Sequence, residues 1–223
     1  MSTPRRQFLG FLGAGSFAAL GGAAFTPRAL EAESHDAPVD DSWDMTWVDK
    51  VTGKYKAVFD SPEVSEGAAL FRACLWRDNY KTVYGTERST MSPVIVFRHE
   101  AISLAMNDEY WDSYDQGKET KVKDFKTKKW SKVNPIRANA PGTPEKWADY
   151  NLMSLMQSGG VVLACRVAFG DVIGNVMKRE KLAHDAAVEK AKSYLVPGVI
   201  LQPSGVFGVL RAQEAGCSYI KAS

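Results

Sequence analysis

Cys165 ends the apolar run Val161-Val-Leu-Ala-Cys165 and is followed at once by Arg166. A cysteine at the end of a buried strand, just before a helix, meets the helix's first N–H groups, whose partial positive charge favours a thiolate. A guanidinium from Arg166 would add to that field. A thiolate so placed can act as a nucleophile or accept a sulfur atom. The same position also suits a cysteine buried for packing alone, and both readings stand at this point. His99 and Glu100 follow a second apolar run, Pro93-Val-Ile-Val-Phe97. His99 could serve as a base or hydrogen-bond donor beside a thiolate, or simply cap the next helix.

The remaining chemistry-bearing residues carry weaker signals. Cys74 lies at helical spacing with Leu70, Phe71 and Leu75, a core pattern, and Cys217 follows Gly216 at the start of a short apolar stretch. A Cys165–Cys217 pair is open on sequence alone. His35 and His184 sit in polar surroundings, and no histidine or cysteine has the spacing of a zinc site. No metal or cofactor is therefore expected. Phosphate-binding, nucleophile-elbow and dinucleotide fingerprints are all missing.

These residues need elements to hold them. Residues 55–59 alternate as a strand, 66–83 read as a helix, 93–97 as a buried strand, and 101–114 as a helix. Seven lysines fall between Lys118 and Lys132 against only Glu119 and Asp124. Together with the prolines up to 141, they mark residues 115–143 as a long excursion of little regular structure. Such a basic run suits an anion or an acidic partner, or a solvated loop. Thr143-Pro144-Glu145 reads as a helix start, leading into Trp147, Leu152, Leu155 and Met156. After the strand at 161–165, helices are expected from about 168 to 177 and 180 to 194. A strand follows at 199–201, then a helix at 206–215 capped by Ser204, and a closing strand at 217–220. Strands alternating with helices predict an α/β fold: one domain, a mostly parallel sheet of about five strands, and helices on both faces in flavodoxin- or Rossmann-like layers. Ligands of such sheets gather beyond the carboxyl ends of the strands.

The amino terminus has another purpose. Arg5-Arg6-Gln-Phe8-Leu9 resembles the twin-arginine export motif, with Pro4 where the motif usually carries serine or threonine. A short uncharged apolar stretch, residues 11–25, completes the architecture of an export leader. Residues 1–32 are read as that leader, engaging the twin-arginine translocase through Arg5 and Arg6, and 33–53 as an extended arm pinned by Trp43 and Trp47. The leader takes three of the 28 basic side chains and one of the 26 acidic ones, leaving 25 of each. A neutral mature protein gives no case for nucleic acid, and no membrane association is expected once the leader is cleaved.

Four segments together resemble the DsrE/DsrF-like family of sulfur-relay proteins, and specifically its exported periplasmic relatives. They are Tyr55-Lys-Ala-Val-Phe-Asp60, Pro93-Val-Ile-Val-Phe-Arg-His99, Gln157-Ser-Gly-Gly-Val-Val-Leu-Ala-Cys165, and Val206 to Ile220 with Arg211-Ala-Gln-Glu-Ala-Gly216. The resemblance spans residues 55–220 and implies a DsrE-like α/β domain over 54–223, usually in a homo-oligomer. It also implies a persulfide carried on the strand-end cysteine, Cys165, with a protein sulfur donor or acceptor, and His99 and Arg166 assisting. The alternative expectation is a periplasmic oligomeric binding or assembly module that keeps the fold without the chemistry.

Overall fold

The computed structural model describes residues 43–139 and 143–223. The leader and the first part of the arm lie outside them. Five strands form one sheet: β1 (Tyr55–Ser61), β2 (Met91–Phe97), β3 (Val161–Cys165), β4 (Ile200–Gln202) and β5 (Ser218–Lys221). All neighbours run parallel, in the order β4-β3-β2-β1-β5. β1, β2 and β3 are buried almost throughout. That explains why β2 and β3 read as continuous apolar runs; the alternation read at 55–59 gives way to burial on both faces from Ala57 to Ser61.

The two faces of the sheet have separate cores. Ala57, Phe59, Ile95, Phe97 and Ala164 pack against α1 (Ala68–Tyr84), α5 (Arg166–Glu180) and α6 (His184–Ser193). The intervening side chains Val58, Val94, Val96 and Leu163 meet Val209 and Ala212 of α7 (Gly205–Glu214), together with Trp47. Trp47 is fully buried in a 3-10 turn, Thr46–Lys50, so this part of the arm is pinned as the sequence suggests. Helices therefore cover both faces, and the parallel α/β expectation holds.

Several local expectations are corrected. Residues 101–114 are not one helix. A 3-10 segment (His99–Ala105) and α2 (Asp108–Ser113) are separated at Met106-Asn107. Asn107 is extended, and its side chain accepts the Tyr110 N–H at 3.0 Å, so it starts a new helix instead of continuing the old one. The helix start at Thr143-Pro144 yields only a 3-10 turn, Glu145–Trp147. The α-helix there, α4 (Leu152–Gln157), is capped by Asn151, whose side chain accepts the Ser154 N–H. On α1 the buried stripe is Leu70, Ala73, Cys74 and Arg77; Phe71 and Leu75 are exposed, and Phe71 stacks against Trp147 and Tyr150. Lys181, in the left-handed region, separates α5 from α6.

The excursion has more order than its composition suggests. A short helix, α3 (Gln116–Glu119), is followed by a tight hairpin in which Lys123 and Trp130 form an antiparallel bridge. Buried Asn134 ties the segment to the body: its Nδ2 donates to the carbonyls of Leu104 and Met106, and its Oδ1 accepts the Ile136 N–H. Among the described residues no helix is long and apolar enough to cross a membrane.

Candidate functional site

Four connections follow the sheet. The first three carry α1 through α6, with α1, α5 and α6 on one face, and the last carries α7 on the other. The helices after β3 and β4 thus leave on opposite sides. This is the switch point where a parallel sheet opens a crevice at its carboxyl edge. Cys165 and Gln202 stand directly opposite each other across it, paired in register.

Side-chain alternation then decides what faces the crevice. Asp60 and Arg98 share the parity of Val58 and Val96, which line the α7 face, whereas Cys165, the last residue of β3, belongs to the core beneath α5 with Ala168 and Phe169. Arg98 forms a two-pronged ion pair with Asp60, Nε to Oδ1 at 2.7 Å and Nη2 to Oδ2 at 2.8 Å. The Tyr219 hydroxyl of β5 donates to the same carboxylate at 3.0 Å. The Asp60 hydrogen bond raises the Arg98 pKa above its ordinary value, and the field of Cys165 acts in the same direction. Arg98 is thus held by Asp60 at the same sheet edge as the cysteine. Its side chain crosses the N-terminus of α7, where a Cβ on Gly205 would come within 2.6 Å of the Arg98 Cβ. Each strand thus contributes at this edge: Asp60, Arg98, Cys165, Gln202 and Tyr219.

The Cys165 sulfur accepts the Ala168 N–H of α5 at 3.5 Å, so the cysteine is the helix's own cap. It is 6% exposed. Gln202, fully buried, donates from Nε2 to the Asp44 and Leu201 carbonyls, while its Oε1 has no donor among the described residues. Ser204 caps α7 by accepting the Phe207 N–H at 3.1 Å, as the sequence suggests.

The other two sequence candidates are not joined to the sulfur by any hydrogen bond. His99 is exposed and left-handed at φ 50°, one residue past the parity that faces α7. Arg166 begins α5 half-buried, with no ion pair among the described residues. The residues missed by sequence reasoning are Arg98 and Asp60. Strand alternation puts 60 and 98 on the face of Val58 and Val96, but nothing local in the sequence joins the two, because their ion pair depends on the pairing of β1 with β2.

Cys74 and Cys217 belong to packing. Both are buried, and burial pushes their thiols up, to about 12 and about 11. All three cysteines are free. Cys217 precedes β5 at the amino edge of the sheet and Cys165 ends β3 at the carboxyl edge, so the open possibility of a pair between them is closed. His184 begins α6 on the surface beside Asp185. No cluster of three or more potential metal ligands occurs among the described residues.

These features define a class: a doubly covered, all-parallel α/β domain with a capped cysteine and an ion-paired arginine at its switch point. No family model matches the chain, and no curated relative does. Among solved structures it is similar to MTH1491, a protein of unknown function from Methanobacterium thermoautotrophicum, at 15% identity and a TM-score of 0.39 over 75% of this chain and 98% of that one. So loose a superposition adds nothing to the site.

Proposed function

We propose that this is an exported DsrE-like protein that carries sulfur as a persulfide on Cys165. The observation that carries the reading is the setting of the sulfur: at the switch point, accepting an amide of α5, with Arg98 at the same sheet edge. Helix N-termini and guanidinium groups are surroundings that in general favour the thiolate, the reactive form of cysteine. In the reaction, the Cys165 thiolate attacks the outer sulfur of a donor persulfide. A Cys165–sulfur bond forms as the donor's sulfur–sulfur bond breaks, and the donor leaves as a thiolate. No net oxidation occurs. An acceptor thiolate then takes the outer sulfur by the same exchange. Arg98 steadies the charge and Asp60 holds Arg98; His99 and Arg166 lie at the same edge and would meet the partner protein. Arg5 and Arg6 direct the chain to the twin-arginine translocase, and the periplasm is its place of work.

Incubation with a persulfide donor tests this. The unmodified protein should gain one sulfur atom at Cys165, and Cys165→Ser should gain none. Loading that survives in Cys165→Ser would end the proposal.

A second reading has its own observation. Val206 and Leu210, one turn apart on α7, are 61% and 53% exposed, and Val167 at the start of α5 is 71% exposed. Apolar side chains left in water at this spacing suit a homo-oligomeric assembly or binding module. Sedimentation of Leu210→Lys tests it: a shift to a smaller species supports the assembly, and an unchanged profile removes it.

A further inference from the structure

The excursion borders an open pocket of about 520 Å³, lined by Lys118, Lys123, Lys128, Lys129, Lys132 and Trp130. This is the size of a small-molecule pocket, within the range of roughly 300 to 1,000 Å³. Its charge is one-sided. Two carboxylates also reach the lining, and both are engaged: Asp112 with Lys132 at 3.0 Å, and Asp115 with Arg179 at 3.9 Å. Among the described residues, Lys118, Lys123, Lys128 and Lys129 have no carboxylate within ion-pair distance. Ammonium groups crowded around one cavity repel each other, and an anion between them relieves that repulsion.

The backbone that carries the lysines is also held in place. The Asp124 Oδ1 accepts the N–H groups of Lys126 and Thr127 at 3.1 and 2.6 Å, fixing the hairpin tip. The Asp124 N–H donates to Lys129, and the Ser131 N–H to buried Val122. Gly117 lies so close to Ser131 that a Cβ there would fall 2.2 Å from its carbonyl oxygen. The frame therefore does not have to form when a ligand arrives. Lys128 occupies the left-handed region at φ 59°, which glycine adopts at less cost. The Lys128 ammonium lies over the Phe125 ring, 4.6 Å from its centre.

We propose that this cavity binds a compact small-molecule polyanion, one bearing several phosphate-type oxyanions. Lysine meets phosphate as a point charge without demanding a fixed fork geometry. Four ammonium groups without carboxylates suit several linked oxyanions better than one. Trp130, 45% exposed, supplies an apolar wall beneath Lys123, 5.1 Å from its ring. The site is separate from Cys165 and does not depend on its chemistry.

Calorimetric titration of the full chain with inorganic triphosphate, at low ionic strength, tests the proposal, with inorganic sulfate and citrate as comparison arms. Saturable single-site binding is expected, tighter than for sulfate or citrate. Lys129→Ala should weaken it about tenfold, the loss of one charge-assisted contact. Lys128→Gly should also weaken it while leaving the unfolding midpoint unchanged or higher, because the turn is relaxed. Lys121→Ala, a lysine of the same segment outside the lining, should leave binding unchanged. An absence of saturable binding would overturn the proposal. So would equal losses in Lys121→Ala and Lys129→Ala, which would reduce the effect to bulk charge. Citrate binding as tightly as triphosphate would overturn the oxyanion class.

Discussion

Asp60 is the residue on which the carboxyl edge depends. Its carboxylate side chain is 5% exposed and holds both Arg98 and Tyr219. Replacing it with asparagine keeps the volume and removes the charge, leaving a guanidinium that is 22% exposed without its partner. Asp60→Asn should cost about 2 kcal/mol in urea unfolding, short of a fully buried pair because Arg98 can partly reach water. The buried thiols give a second residue-scale prediction. Burial holds the folded Cys74 thiol at about 12, against 9.0 as its ordinary value. Above the ordinary value the unfolded chain loses this proton while the folded chain keeps it. Stability is therefore fully present below about pH 9 and falls as pH rises toward 12. Unfolding midpoints from pH 8 to 11 should decline, and less steeply in Cys74→Ala. At this scale the sequence revealed Cys165 but not its neighbours. Histidine drew attention because of its intrinsic chemistry, whereas Arg98 and Asp60 matter only through the pairing of β1 with β2. A tertiary ion pair of that kind leaves no local pattern.

Elements were legible where one face or both faces are buried. The strands read at 93–97 and 161–165 were visible as apolar runs, that at 55–59 as an alternating stretch, and α7 with its Ser204 cap as a bounded helix. The segments misread were those where a polar side chain competes for the backbone. Asn107 and Asn151 each accept an N–H three residues on and restart the helix there, against an apolar spacing that continues through them. Asn134 does the corresponding work in the excursion, which composition alone renders as an unstructured lysine run. Asn134→Ala would strand the Leu104 and Met106 carbonyls and the Ile136 N–H. It should cost about 2 to 3 kcal/mol, with early hydrogen exchange in residues 115–139 while β1 to β3 stay protected.

The single parallel sheet followed from alternating strands and helices. Its order, with β5 crossing to pair with β1, did not, because no local signal distinguishes one edge of a sheet from the other. That order sends α7 to the face opposite α5 and α6. Trp47 closes the α7 face from the segment ahead of β1, so the folded domain includes part of that segment. If the leader acts as read, replacing both Arg5 and Arg6 with lysine should leave the folded protein in the cytoplasm. Cell fractionation should then find no processed form in the periplasm. The central claim concerns the sulfur at the switch point. Its most direct test is intact-protein mass spectrometry of the natively exported protein, before and after alkylation without denaturant. The account predicts rapid labelling or an added sulfur atom at Cys165, with Cys74 and Cys217 unmodified until unfolding. A Cys165 that stays unlabelled and sulfur-free until the protein unfolds would contradict it.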